Sequence, residues 1–451
     1  MGAMDNHIVN VALPTLSKDF HSSIASVQWT VVAYVLSLAV WIPASGWIGD
    51  RIGTKRTFLL ALVIFTLASA ACGQARNLPE LIVARAFQGM GGGMLTPSAM
   101  AMLWRAYPPA ERARLGRILI LPILIAPAAA PVLGGLLIQD LSWRWVFYVN
   151  LPFGIIAIIF SSLFLVEHRE VAKGRFDLWG FFLSGGGLAA ILYAISQGSV
   201  EGWTSFGVLL AAGIGLVAFS LFIRMELGRP DDPLLKIQLM GNRLFRAANT
   251  GIALSTASFL GILFLTPGFL QEALHQSPLQ SGLITFVEAF GVVLSTQSLG
   301  RLYYRIGPRR MSAAGLFGLS LVIISMLFVH AGTNLWVVRG LLFAAGFANS
   351  TAFLPLQTSM FTTIAPSDTG HASAIFNAQR QSALAIGVAI LSTVVAGSHG
   401  PIVSAFHHAY IAAALIALCG GVACLTLVHD SDASATMVRS RKIASSDDTE
   451  E

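Results

Sequence analysis

Long apolar runs separated by short polar loops dominate the chain. Read for stretches of roughly 17–25 apolar residues, the length a bilayer core demands of a helix, the sequence predicts fourteen spans, opening with 1–16, 27–48, 58–72 and 81–104 and closing with 335–356, 372–395 and 409–428. Six precede the loop 167–176 and six follow the loop 224–246, leaving 178–195 and 206–223 between them. The pattern also repeats. Gly46-Trp-Ile-Gly-Asp-Arg-Ile-Gly-Thr-Lys-Arg56 returns as Gly300-Arg-Leu-Tyr-Tyr-Arg-Ile-Gly-Pro-Arg-Arg310, 254 positions later. At the same offset Leu81-Ile-Val-Ala-Arg85 falls on Leu335-Trp-Val-Val-Arg339, Gly92 on Gly346 and Gly116 on Gly370. The expected architecture is an all-α membrane protein: two related six-helix halves, 1–166 and 247–428, with two helices and their flanking loops inserted at 167–246. Doubled halves with matching loops suit a transporter that rocks about a central site. The serine-rich, acidic segment 429–451 reads as a disordered tail.

Composition agrees with this pattern and charge orients it. The 451 residues are 55% apolar and 11% charged with a mean hydropathy of +0.72, whereas a soluble domain is about 25% charged. Alternate loops carry twenty-two Lys and Arg residues, among them Arg51, Lys55, Arg56, Arg305, Arg309 and Arg310, against Lys18, Arg76 and Arg144 on the opposite side. The basic loops and the C-terminus are therefore expected in the cytoplasm. The net charge of +6 is explained by this topology, so no nucleic-acid partner is expected. Cys72, Cys419 and Cys424 lie in apolar spans without metal-ligand spacing and read as core packing. The first stretch has no basic leader, so no cleavable signal is expected. No phosphate-cradling Gly-rich loop ending in Lys-Ser/Thr occurs, so ATP is not the expected energy source, and no catalytic constellation or cofactor site is expected.

Four stretches carry a family resemblance: the loop Gly46–Arg56, Asp5-Asn-His-Ile-Val-Asn-Val-Ala-Leu-Pro14, Ser142-Trp-Arg-Trp-Val-Phe-Tyr-Val-Asn-Leu-Pro-Phe-Gly154 and Ala130-Pro-Val-Leu-Gly-Gly135. They resemble the major facilitator superfamily and, within it, the fourteen-helix drug:proton antiporters of the EmrB/QacA type. The fourth stretch departs from that pattern in having Ala130 where glycine is usual. The resemblance implies alternating access in an inner membrane, with protons entering as a small molecule, often an amphipathic or cationic drug, leaves. It also admits a periplasmic adaptor as a partner. Rival readings are an exporter of one organic acid, sugar or siderophore on the same fold, and a non-transporting membrane sensor or assembly subunit.

The candidate residues follow. Asp50 stands amid Arg51, Lys55 and Arg56 where the second span leaves the membrane, with Gly46 and Gly53 permitting close backbone approach. This cluster either latches the cytoplasmic side in one state or merely anchors the loop, and anchoring is the stronger reading for Arg305, beside Tyr304 in the second copy. Arg85 lies within an apolar span, where a lone charge costs about 2.5–3.5 kcal/mol. It either faces a wet interior and takes part in coupling, as the resemblance implies, or snorkels outward. Pro127 and Pro131, with Pro122 and followed by Gly134 and Gly135, predict a kinked helix able to change its packing. Asp5 is a natural proton carrier, because burial and a neighbouring cation pull its proton affinity in opposite senses. Yet the stretch 1–16 spans roughly 24 Å at 1.5 Å per residue, short of a hydrocarbon core of ~30 Å. Asp5 is thus expected within reach of water, and the native start upstream of Met1 or the copy truncated. Glu288 interrupts an apolar span and is a site for a proton or a cationic cargo, or a protonated packing contact. Arg380 either supplies a counter-charge or is structural. Trp29, Tyr34, Trp41, Phe259 and Phe353 are candidate cavity aromatics.

Overall fold

The computed structural model describes residues 2–22, 24–106, 129–130, 133–167, 177–228, 235–365, 368–398 and 401–433. Pro122, Pro127, Pro131, Gly116 and the tail beyond 433 lie outside the described residues, as does the side chain of Asp50. The described chain is helical throughout, and ten of its helices are long and apolar enough to cross a membrane.

The first half comprises α1 (Gly2–Asp19), α2 (Ile24–Ile52), α3 (Thr54–Gln74), α4 (Leu78–Ala106), α5 (133–140), α6 (Trp145–Tyr148) and α7 (Asn150–Phe164). The inserted hairpin is α8 (Leu178–Phe181), a π turn Phe182–Gly186, α9 (Gly187–Glu201) and α10 (Phe206–Leu227). The second half is α11 (Arg243–Gly268), α12 (Pro278–Thr285), α13 (Val287–Ser298), α14 (Gly300–Ser325), α15 (Leu335–Met360), α16 (Thr369–Gly397) and α17 (Ile402–Leu427). Local chemistry sets several starts: Asn242, Ser277 and Asn334 accept through their side chains from Phe245 N, Gln280 N and Trp336 N, and Pro278 occupies the first turn of α12. The predicted span 283–299 is occupied by α12 and α13, which meet at Phe286, a residue with helical angles (φ −54°, ψ −29°). The loop predicted at 300–310 is instead helical on either side of Gly307, so α14 is two consecutive helices joined across a kink there.

Matching positions of the sequence repeat share local structure. Gly53 (φ 103°) and Gly307 (φ 83°), at matching positions, take the left-handed backbone that turns the chain between consecutive helices. Each turn is clipped by a carboxylate that follows the last helix of its own half. Lys55 N–H donates to Glu167 Oε1 at 3.1 Å, and Arg309 N–H donates to Asp430 Oδ1 at 2.9 Å. In both halves the second and fourth spans meet at glycine: a Cβ on Gly92 would lie 2.7 Å from the Tyr34 hydroxyl, and one on Gly346 would run into the Glu288 backbone carbonyl.

The halves meet along α16, which packs against α2 and α4. The two inserted helices, expected as a tether, do more than connect: α9 packs on both α2 and α16, covering one side of the seam. There Trp41 stacks on Phe181 at 5.2 Å, so this predicted cavity aromatic belongs to the hairpin packing, and Trp203 Nε1 donates to Thr393 Oγ1 at 3.0 Å. Trp29 lies 5.8 Å from Tyr193 of α9, while Phe259 is buried in the second half's core and Phe353 packs against it. α10 turns Phe206, Leu209, Ile214 and Val217 outward, as a lipid-facing helix must. Cys72 and Cys424 are buried as expected; Cys419 is exposed, which corrects its assignment to the core.

Candidate functional site

Asp5 lies in the first turn of α1 with no exposed surface. That overturns the expectation of water contact: side chains from α4 and α7 close over it, which distance along the sequence could not show. Its Oδ2 accepts from Nη1 of Arg85, an ion pair between two fully buried side chains. Its Oδ1 accepts at 2.9 Å from Nε2 of Gln88, one turn along α4, and at 2.9 Å from Nδ2 of Asn150, at the start of α7.

The guanidinium is fixed as firmly as the carboxylate. Arg85 Nε donates to the Thr30 carbonyl at 2.9 Å, Nη1 donates also to Gln88 Oε1 at 2.8 Å, and the Tyr34 ring lies 4.2 Å from its central carbon. Ser69 of α3 completes the cage. Its Oγ accepts from Gln88 Nε2 at 3.1 Å and Asn150 Nδ2 at 3.2 Å, and donates to the Phe147 carbonyl at 2.9 Å. Thus donors from α4 and α7 converge on the carboxylate of α1, with α2, α3 and α6 bonded to those donors or to Ser69, and the three donors aimed at it are complementary to its ionised form. Among the described residues, Arg85 Nη2 and Asn150 Oδ1 are buried without a hydrogen-bond partner. Arg85 does not snorkel, whereas Arg339, its partner in the repeat, sits partly exposed against Trp336, 4.6 Å from that ring.

Gln88, Asn150, Ser69 and Thr30 were not singled out from sequence. Gln88 sits three residues after Arg85 and hence on the same helix face. A polar amide there, and another within the apolar run around Asn150, is the signal that would have found them.

The gating candidates separate. Gly46 is buried at the seam, where a Cβ would touch the Gly370 backbone at 3.4 Å; the basic-loop end of α2 therefore lies against α16. Gly53 makes the turn clipped by Glu167. Arg56 is exposed and reaches Glu167 only at 3.7 Å, an ion pair of about 0–1 kcal/mol. Arg51 is exposed beside Trp47, at 5.4 Å from its ring, and Arg305 is exposed. Gly134 is buried, but among the described residues a Cβ on Gly135 would meet nothing within 4 Å, so no close approach requires glycine there.

Glu288 is buried on α13, with 7% of its surface exposed. Arg380, on α16, has its Nε buried without a partner among the described residues, and no ion pair joins it to Glu288. The counter-charge expected of Arg380 is therefore not directed at Glu288 here. Its neighbour Gln379 donates to the Asn249 carbonyl of α11 at 3.1 Å. No cluster of metal-ligating side chains occurs among the described residues.

The family model described as Major Facilitator Superfamily matches residues 1–230 and 248–443. The chain belongs to that superfamily. It is a multi-pass membrane transporter and not an enzyme, as expected. The "Multidrug resistance protein B homolog" of Mycobacterium tuberculosis is 33% identical over 398 residues, 88% of this chain and 74% of that protein. The crystal structure of the human organic anion transporter MFSD10 (TETRAN) superposes with a TM-score of 0.66 at 15% identity, covering 94% of this chain and 96% of that one, which shows the shared fold.

Proposed function

We propose that the protein is a proton-coupled exporter of hydrophobic or cationic small molecules, of the fourteen-helix EmrB/QacA type, working by alternating access in the inner membrane with its basic loops cytoplasmic. The observation that carries the reading is the caged Asp5–Arg85 pair. A carboxylate wholly buried beside a permanently charged guanidinium cannot gain a proton without weakening that ion pair, so protonation and the packing of six helices are linked. The relative's name supports a drug as cargo, and the positive-inside pattern supports the orientation. Glu288, a buried carboxylate in the other half, is the proposed cargo or second proton site. Asp50, Arg51 and Arg56 are the proposed latch at the basic end, where Gly46 meets Gly370, and Pro127 and Pro131 form the proposed hinge of the antiporter helix. A periplasmic adaptor is compatible with this reading.

A second reading is favoured by one observation, the buried Arg380 Nε that has no partner among the described residues. The side chain is half-buried, a buried guanidinium N–H left unpaired is costly, and an anionic group on the cargo would pair with it. This reading makes the protein an exporter of organic anions.

Proteoliposomes test both. An imposed proton gradient should drive substrate movement without ATP, and Asp5→Asn should abolish the associated proton flux. Transport that persists without a gradient but requires ATP would refute the antiporter reading. Glu288→Gln should depress export of cationic probes and Arg380→Gln that of anionic ones; the variant with the larger loss identifies the cargo charge.

A further inference from the structure

Protonating Asp5 creates a conflict that only one of its neighbours is free to resolve. The carboxylate oxygen Oδ1 receives two amide N–H groups, from Gln88 Nε2 and Asn150 Nδ2, both at 2.9 Å. When a proton from water adds to Oδ1, the carboxylate becomes a carboxylic acid and the Asp5–Arg85 pair passes from net zero to a single positive charge, since the guanidinium keeps its proton. The new O–H then points at two donors. One amide must offer an oxygen instead.

Gln88 cannot turn without further loss. Its Oε1 accepts from Arg85 Nη1 at 2.8 Å and from Cys72 Sγ at 3.5 Å, so rotation would set its NH2 group against the guanidinium. Asn150 is different. Its Nδ2 spends one N–H on Asp5 and the other on Ser69, while its Oδ1 is buried with no partner among the described residues. The present orientation is itself dictated by the ionised acid, because an amide oxygen in place of Nδ2 would face a carboxylate oxygen. Turning the amide by half a rotation gives the protonated Asp5 an acceptor.

We infer that Asn150 reads the protonation of Asp5 by turning its side-chain amide from donor to acceptor. The inference rests on the reading of Asp5 as the proton site. The turn has a mechanical outlet. Asn150 sits at the junction of α6 and α7, where Val149 keeps helical angles (φ −58°, ψ −27°), and Pro152, having no N–H, removes one backbone hydrogen bond from that junction. The same rotation also presents an oxygen to Ser69, whose hydroxyl must leave the Phe147 carbonyl of α6 in order to donate to it. Protonation at α1 is thereby handed to the joint between α6 and α7. Asn150 acts through Asp5 and is a positioning residue.

Wild-type protein in proteoliposomes supplies the first test. The acid-minus-neutral infrared difference spectrum should pair an appearing carboxylic-acid band, absent in Asp5→Asn, with a shift of a side-chain amide band that disappears in Asn150→Leu. A carboxylic-acid band with no amide shift in the wild type overturns the proposal, whether or not any variant folds. If the paired bands appear but no proton-driven transport does, the proposal stands and the antiporter reading falls. The second test is the pH profile of transport. Asn150→Leu removes one donor to the ionised acid, and a hydrogen bond to a charged group corresponds to about one pH unit, so the midpoint should move up by about that much. Asn150→Asp, which imitates the turned amide by offering only acceptors, should move it further in the same direction. A purely structural Asn150 would lower the rate in both variants and leave the midpoint in place, which would also overturn the proposal.

Discussion

The two halves share a backbone plan and differ in where they keep charge. At the repeat offset, Thr30, Ser69, Cys72 and Gln88 of the first half correspond to Ile284, Ile323, Met326 and Leu342 of the second, so the polar cage has an apolar counterpart. Arg85, fully buried, corresponds to Arg339, partly exposed against Trp336. Tyr34, stacked on the guanidinium, corresponds to Glu288. α11, which opens the second half, carries no ionisable residue between Arg246 and Glu272. The glycine contacts and the clipped turns survive in both copies. What the halves have in common is therefore how helices pack and turn, whereas what distinguishes them is a buried ion pair on one side and, on the other, the buried acid Glu288 and the half-buried Arg380, which are not paired with each other. Packing is a requirement of the fold, whereas the buried charges are particular to each half.

The sharpest way to break this comparison is to cut the ion pair. Arg85→Leu leaves Asp5 buried without its cation, and removing one member of a buried pair costs about 3–5 kcal/mol. Thermal unfolding in detergent should show a large drop in Tm. Arg339→Leu, at the matching position, should change stability by about 0.5 kcal/mol or less. The double variant Asp5→Leu/Arg85→Leu should recover most of the stability and none of the proton-linked transport, because paired apolar groups replace a buried pair at little cost. Equal losses at Arg85 and Arg339 would mean that the halves are not asymmetric in this sense.

Next in size is the packing that the halves share. Gly92→Ala pushes against the end of the Tyr34 side chain, which can give way, while Gly346→Ala pushes against the backbone carbonyl of Glu288, which cannot. Overpacking costs about 1–3 kcal/mol, and Gly346→Ala should fall at the upper end with Gly92→Ala at the lower. The reverse order in unfolding measurements would show that the cage around Arg85 is stiffer than the backbone of α13.

The ten apolar helices found among the described residues, and the offset at which Gly53 and Gly307 match, were legible in the sequence because hydrophobic length and a constant offset are one-dimensional signals. The cage was not. Counting residues from Met1 put Asp5 near water, but burial depends on α4 and α7 folding over it, and the sequence contains no measure of that. Arg85 was recognisable as an expensive charge without its partner being identifiable. Asn150 lies inside a quoted motif and Gln88 three residues beyond another, and neither stands out, since an amide in an apolar run reads as tolerated until its neighbours are known. Gly307 moved a predicted boundary in the second half for a similar reason: helix on both sides of a left-handed glycine leaves the hydrophobic pattern unchanged.

The smallest effect sharpens the comparison at the basic end. Glu167 and Asp430 each cap the N-terminal N–H groups of the helix that follows a left-handed glycine, although they come from different distances along the chain. A carboxylate at a helix N-terminus contributes about 0.5–2 kcal/mol. Glu167 also meets Arg56 at 3.7 Å, but exposure and screening leave that contact little to add. Asp430→Asn and Glu167→Gln keep an acceptor oxygen and remove the charge, so each should cost only a few tenths of a kcal/mol, whereas Asp430→Ala and Glu167→Ala should cost about 1 kcal/mol. Raising salt should erase most of the loss in the amide variants and little of it in the alanine variants, because screening acts on charge and not on the hydrogen bond itself. If one alanine variant is silent while the other is not, the clip holds only one half, and the shared mechanical plan of the two halves ends before their last helices.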